Sequence, residues 1–132
     1  MSERKISRVA DLEKAVTRLG EMSTRPKEEA VRDSVIMRFE LAFELAWKVL
    51  KDALEDKGIV PLPANPKDNI RLAAENGLVD DVQTWFDFLD ARNLATHVYD
   101  ETMADSLYAI IKTRFYPLVQ KLVEQTKKED TF

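Results

Sequence analysis

Residues 31–54 limit the folds open to this chain more than any other stretch, because their apolar side chains are spread around most of a helix. The large apolar residues of this stretch include Val35, Ile36, Met37, Phe39, Leu41, Phe43, Leu45, Trp47, Val49 and Leu50. A surface helix keeps its apolar residues on one stripe, whereas a helix that is apolar on several sides is buried on several sides. The stretch therefore predicts either the central rod of a helical bundle or a rod that also contacts a partner subunit.

The sequence predicts further helices on both sides of this rod. Apolar residues recur at intervals of three and four over about residues 2–22, which is typical of an amphipathic helix. The rod should begin near residue 26 or 27 and end at Gly58, since proline suits a first helical turn and glycine suits the position after a helix. A short connecting helix is predicted for about residues 66–76.

The next helix should be capped by Asp80 or Asp81 and should end near His97 or Val98. Its spacing at three and four predicts that five apolar residues face inward, namely Val82, Trp85, Phe88, Leu89 and Leu94.

A last helix is predicted from about Thr102 to Lys127, after a cap at Asp100 or Thr102. Pro117 lies well inside it, and a proline there removes a backbone donor and clashes with the preceding turn. We therefore expect a bend near Thr113.

No strand pattern or repeat accompanies these helices, so the predicted fold is all-α. The expected architecture is an antiparallel up-and-down four-helix bundle with one additional short helix. A chain of 132 residues has the size of one domain, and we expect residues 1–132 to form it.

Composition excludes several function classes. No apolar run reaches the roughly 18 residues of a membrane span, and the first residues hold no apolar signal core, so a cytoplasmic location without membrane attachment is expected. The absence of cysteine and the single histidine argue against a transition-metal site, and no glycine-rich phosphate loop is present, so neither a metal nor a cofactor is predicted. The net charge of −4 argues against broad capture of nucleic acid, so any RNA contact should be local.

The stretch 92–99 holds the only histidine, and it is the place where chemistry is expected. Arg92 supplies a permanent planar cation, His97 a group that exchanges a proton near neutral pH, and Tyr99 a phenol. Asn93 precedes His97 by four residues and would share its face in a continuous helix. Taken alone, a histidine at a helix end is more often structural than catalytic.

Arg92 and His97 do not share a helix face. Five residues at about 100° each separate them by roughly 140° around one helix. Either the helix ends between them, or the second group of the site comes from another chain.

The rod also carries a strip of charge formed by Arg38, Glu40, Glu44 and Lys48. Glu44 precedes Lys48 by four residues, the favourable order for a surface ion pair. One interpretation is a solvated strip without function. The other is that Arg38 or Glu40 lines the same cleft as His97.

The spacing Arg-x4-His-x-Tyr of residues 92–99 resembles the motif of HEPN-domain proteins, particularly the branch called nucleotidyltransferase substrate-binding proteins. Arg38-Phe39-Glu40, the stretch 43–48 and Trp85 resemble the same branch, so the likeness covers most of the chain. The resemblance implies one HEPN-like helical domain.

The resemblance also implies a metal-independent endoribonuclease toxin. In that interpretation His97 transfers protons, Arg92 stabilises the charged transition state and Asn93 orients the site, while two copies form one composite cleft as a homodimer. The implied partner is a minimal nucleotidyltransferase (MNT) antitoxin that adenylylates Tyr99. Two alternatives stay open, a non-catalytic substrate-binding subunit of a two-component nucleotidyltransferase and an inactive helical dimer. Tyr99 has its own alternative, that its ring packs near Met103 and only stabilises the fold.

Overall fold

The computed structural model of the protein describes residues 3–60, 65–96 and 100–128, and these residues contain helices and no strand. The helices are α1 (Glu3–Ser23), α2 (Glu29–Asp56), α3 (Pro66–Glu75), α4 (Val82–Ala95), α5 (Glu101–Ile110) and α6 (Tyr116–Thr126), with a π-helical segment (Ile111–Phe115) joining α5 to α6. The predicted antiparallel four-helix bundle with one additional short helix is confirmed. Its four main helices are α1, α2, α4 and the long arm made by α5, the π-helical segment and α6.

α2 is the centre of this bundle, as its apolar pattern predicts. It packs against α1, α3, α4 and α5. Phe39, Phe43 and Leu50 are fully buried, whereas Met37 and Leu41 are 61% and 56% exposed. The bundle therefore covers most of α2 and leaves one apolar strip uncovered.

A cluster of aromatic rings fixes α4 on α2. The ring of Phe39 lies 4.7 Å from that of Phe115 and 6.3 Å from that of Phe88, and the Phe88 and Phe115 centroids are 5.1 Å apart. Edge-to-face pairs at such distances are the favoured arrangement of buried rings. The cluster joins α2, α4 and the π-helical segment, so it sets the direction in which α4 leaves the core.

The start of α2 differs from the prediction. The helix begins at Glu29 rather than at residue 26 or 27, because Glu28 keeps an extended backbone and serves as its N-cap. Its end is as expected: Gly58 has a φ of 82°, a left-handed conformation that glycine adopts without strain.

The last helix is not a single bent α-helix. Pro117 cannot donate to the carbonyl of Thr113, and the structure accommodates this loss with the π-helical segment, which contains Thr113 and ends two residues before the proline. The wider turn keeps Ile111 and Phe115 fully buried. The helical stretch therefore passes the proline without a break.

The inward position predicted for Leu94 is wrong. Its side chain is 48% exposed. Six residues at about 100° each place Leu94 roughly 240° around α4 from buried Phe88, away from the core. The stripe that faces α2 contains Trp85, Phe88, Arg92 and Ala95 instead.

In the part of the chain that the structure describes, no helix is both long and apolar enough to cross a membrane.

Candidate functional site

Arg92 lies in the last turn of α4, on the stripe of that helix that faces α2. A cation is favourable at this position because the carbonyl groups at a helix C-terminus carry partial negative charge. Its side chain is 34% exposed, so the guanidinium lies between the core and solvent.

Glu44 of α2 is the partner of Arg92. Arg92 Nη2 donates to Glu44 Oε2 at 3.4 Å, Trp47 Nε1 donates to the same oxygen at 3.1 Å, and Lys48 Nζ lies 3.3 Å from Glu44 Oε1. The predicted Glu44–Lys48 pair is therefore present, although it belongs to a contact between two helices rather than to a free surface strip. Burial alone would raise the pKa of Glu44, but the hydrogen bonds from Trp47 and Lys48 and the nearby cations outweigh it and hold that pKa below its ordinary value.

The Nε–H of Arg92 is buried and has no hydrogen-bond partner among the described residues. Buried polar groups are normally hydrogen-bonded, so an unpaired guanidinium nitrogen is unusual. Among the described residues, the guanidinium is thus held only through Nη2.

Asn93, the next residue, is exposed. Its backbone carbonyl accepts a hydrogen bond from Thr96 Oγ1 at 3.0 Å, while its side chain makes none to a described residue. Arg92 and Asn93 therefore present a cation and a free amide at the same end of α4.

α4 ends at Ala95 with Thr96 as its C-cap. α4 thus ends slightly earlier than predicted. Of the two arrangements that the sequence leaves open, the described residues show the one in which the helix ends between Arg92 and His97. The predicted relation of Asn93 to His97 on one helix face stays a prediction, because His97 lies outside the described residues. His97, Val98 and Tyr99 lie outside the described residues, so their predicted roles stay predictions.

A cavity of about 300 Å³ is lined by residues of α2 together with Ala95 and Asp100, which precede and follow the stretch 96–99. Its lining residues are Glu29, Arg32, Asp33, Ile36, Met37, Glu40, Ala95, Asp100, Glu101 and Ala104. Glu40 therefore lies beside the motif region, whereas Arg38 is not in this lining and its Nε donates to Ser34 Oγ at 3.2 Å. Within the described ranges, no group of three or more histidine, cysteine or acidic residues is arranged to hold a metal ion.

Arg32 ties the start of α5 to α2, and sequence reasoning missed it. This buried guanidinium pairs with Glu101, with Asp105 at 3.3 Å and with Asp33 at 3.1 Å. Hydrogen bonding to Glu101 and the other two carboxylates raises the pKa of Arg32 despite its burial, and the same bond lowers the pKa of Glu101. A sequence signal exists in the four-residue spacing of Glu101 and Asp105, which places two acids on one face of α5.

Asp100 caps α5 by accepting from the backbone N–H groups of Thr102, at 2.7 Å, and of Met103, at 3.3 Å. The cap fixes the residue that directly follows the stretch 97–99. Contacts to α2 therefore hold both flanks of that stretch, through Arg92 on one side and through Glu101 on the other.

Comparison with known proteins identifies the family. Residues 7–128 match the family described as nucleotidyltransferase substrate binding protein like. The chain belongs to this family. The match covers α2 and α4 together with the stretch 92–99, so the residues that carried the resemblance lie within it.

Two individual proteins are also similar to this chain in sequence. Over 79 residues the chain is 34% identical to a probable ribonuclease HepT of Haemophilus influenzae, a match that covers 58% of this chain and 54% of the relative. The chain thus spans about half the length of the curated relative it matches. A protein of Thermus thermophilus of known structure is 33% identical with a TM-score of 0.74, covering 85% of this chain and 94% of that one.

A third comparison concerns the fold alone. A tri-AMPylated HEPN toxin of Shewanella oneidensis, solved in complex with an MNT antitoxin, has a TM-score of 0.75 and 18% identity, and the match covers 96% of this chain and 98% of that chain. The bundle of this family member is therefore similar to that of a HEPN toxin.

Proposed function

We propose that this family member is a metal-independent endoribonuclease that acts as the toxin of a HEPN/MNT pair. The observation that carries the proposal is the position of Arg92, a partly exposed guanidinium held at the end of α4 directly before the stretch with the only histidine. A guanidinium with unused donors is suited to the oxygens of a phosphodiester. The name of the Haemophilus relative, probable ribonuclease HepT, supports the same reaction class.

The proposed reaction needs no external water or metal in its first step. The ribose 2′-oxygen attacks the adjacent phosphorus, a new bond forms between them, and the bond from phosphorus to the 5′-oxygen breaks. His97 accepts the proton of the 2′-hydroxyl, and a second imidazole from another copy of the chain protonates the leaving 5′-oxygen. Arg92 stabilises the extra negative charge on the phosphoryl oxygens, and Asn93 orients the reacting groups.

A homodimer is part of this proposal, because a second copy supplies the second imidazole. Met37 and Leu41 on α2 and Leu94 on α4 are exposed apolar residues on the helices that carry Glu44 and Arg92. Met37 and Leu41 are four residues apart and so share one face of α2, and exposed apolar residues that lie together mark interaction surfaces. A twofold interface over this apolar strip would bring two copies of the stretch 92–99 towards each other.

Regulation is proposed to act on Tyr99. An MNT partner would transfer AMP from ATP to the phenol oxygen and release pyrophosphate. The added phosphate brings negative charge close to Arg92 and competes with the substrate phosphate for the same guanidinium. Inhibition then requires no rearrangement of the bundle.

The proposal is tested by RNA cleavage with purified wild type, His97→Ala and Arg92→Ala. Both variants should lose cleavage by at least about 100-fold, since each removes a proton-transfer or charge-stabilising group. Products should end in a 2′,3′-cyclic phosphate, and EDTA should leave the rate unchanged. The matched control is Arg71→Ala, which removes an exposed arginine of α3 whose partner is Asp68 at 2.9 Å.

The control variant should cleave at the wild-type rate, and all four proteins should have the same helicity. Cleavage that stops with EDTA, or a His97→Ala protein that cuts as fast as the wild type, would contradict the mechanism.

A second candidate is a non-catalytic subunit that holds the substrate of a nucleotidyltransferase. The family description favours it, and so does the acidic lining of the cavity beside the motif region, which would repel RNA. The two candidates differ when the wild type is purified without its partner. RNA cleavage by the isolated protein selects the ribonuclease, whereas intact RNA together with a raised transfer rate of an added nucleotidyltransferase selects the binding subunit.

A further inference from the structure

We infer that Glu44 is a positioning residue for Arg92, holding the guanidinium so that its free edge meets the phosphate of a bound RNA. The inference rests on the proposed ribonuclease function and adds a residue that the motif does not contain. Glu44 itself touches no substrate in this scheme and acts only through Arg92.

Glu44 is well fixed for this task. Its Oε2 accepts from the indole N–H of Trp47, a buried side chain, and its Oε1 lies 3.3 Å from Lys48 Nζ. Both partners belong to α2, the helix at the centre of the bundle. The carboxylate is therefore oriented before Arg92 reaches it from α4, and its lowered pKa keeps it ionised at neutral pH.

Arg92 depends on Glu44 for its orientation. The buried Nε–H has no partner among the described residues, and the contact at 3.4 Å from Nη2 to Glu44 is the hydrogen bond that the structure gives this side chain. An arginine with an unsatisfied buried donor lowers its free energy by turning that donor towards water, unless another contact holds the side chain in place. Glu44 is that contact.

The arrangement also leaves Arg92 able to bind an anion. Nη1 donates to no residue that the structure describes, and about a third of the side chain is accessible, with 34% exposed. Lys48 offsets the charge of Glu44, so the three groups together retain one positive charge. A phosphate can therefore be bound without first displacing Glu44.

The test is a double-mutant cycle on RNA cleavage with wild type, Glu44→Ala, Arg92→Ala and the double variant. Glu44→Ala should lower kcat by about 10-fold or more with little change in KM, because a misplaced catalytic group affects the transition state more than binding. In the Arg92→Ala background the same change should have no further effect. Glu44→Gln, which still accepts from Arg92, should recover part of the lost rate.

Glu55→Ala is the matched control. Glu55 is also a half-buried glutamate of α2 that pairs with a lysine of its own helix, Lys51 at 3.5 Å, and with an arginine of another helix, Arg4 at 3.5 Å. It lies in the last turn of α2, roughly 16 Å along the helix from Glu44, so Glu55→Ala should cleave RNA at the wild-type rate. The positioning role is wrong if the double variant loses as much cleavage rate as the product of the two single losses. It is also wrong if Glu44→Ala cleaves RNA at the wild-type rate.

A second measurement separates this inference from the proposed function. NMR relaxation of the Arg92 side-chain Nε–H should show a more mobile guanidinium in Glu44→Ala than in wild type or Glu55→Ala, whether or not the protein cuts RNA. Absent cleavage by the wild type would overturn the ribonuclease proposal. Unchanged Arg92 mobility in Glu44→Ala would overturn the positioning by Glu44.

Discussion

Replacing Gly20 by alanine should destabilise this protein, although the same change stabilises most helices. Gly20 lies in α1 and is buried, and a β-carbon added there would lie 2.2 Å from the hydroxyl oxygen and 2.7 Å from Cζ of Tyr116. Alanine is favoured over glycine by about 1 kcal/mol in a helix interior. Forcing extra volume into a packed contact costs about 1–3 kcal/mol.

We expect the steric effect to outweigh the helix preference, because Tyr116 packs against the core and its rigid ring has to move as a whole. Carbon and oxygen atoms need roughly 3.5 Å, so the end of the tyrosine must shift by more than about 1 Å. Tyr116 begins α6 and directly precedes Pro117, which restricts its backbone. We expect Gly20→Ala to lower the free energy of unfolding by about 1 kcal/mol, the difference between the two effects.

The assay is urea unfolding followed by circular dichroism at one fixed protein concentration, since association also changes apparent stability. Tyr116→Ala is the companion variant, because it removes the ring that the new methyl group would meet. In that background Gly20→Ala should change sign and stabilise the protein by up to about 1 kcal/mol. A higher free energy of unfolding for Gly20→Ala with Tyr116 intact would refute the close packing of α1 against α6.

Three further outcomes are expected. Burial raises the pKa of Asp52, whose Oδ2 has no partner among the described residues, so the wild type gains stability as the pH falls through that pKa. Asp52→Asn should therefore have a higher melting temperature than the wild type near pH 7, and this difference should shrink, not grow, as the pH is lowered towards about 4. Leu41→Glu should give a monomer by light scattering, whereas Val60→Glu, which changes a similarly exposed apolar residue, should keep the mass of the wild type. A wild-type monomer at micromolar concentration would argue against the dimer. Tyr99→Phe should cut RNA and resist neutralisation by an MNT partner, and an AMP mass on that variant would place the modification elsewhere.

The sequence predicts the bundle well because helix periodicity is a local property. The apolar residues of 31–54 identify α2 as the central rod, and Gly58 and Asp81 mark helix ends through backbone chemistry that depends only on near neighbours. Leu94 shows the limit of this reasoning, since its spacing predicts an inward position, whereas the helix turns its side chain away from Phe88 and leaves it 48% exposed.

The contacts around the candidate site could not be derived in the same way. Glu44 and Arg92 are 48 residues apart in sequence, and Arg32 and Glu101 are 69 apart. Such pairs depend on how α4 and α5 dock on α2, which no local spacing encodes. The sequence identifies Arg92 and Asn93 through the motif, but it predicts the carboxylate that holds Arg92, Glu44, only as half of a surface ion pair.

The attachment of both flanks to α2 has a consequence for how this family can diversify. Arg92 is joined to Glu44 before the stretch 97–99, and Arg32 is joined to Glu101 after it, so two ion pairs tie α4 and α5 to α2 without using His97 or Tyr99. We expect substitutions in the stretch 97–99 to leave both ion pairs in place, so a change of residue there need not unfold the bundle. Relatives with the same bundle therefore need not share an activity.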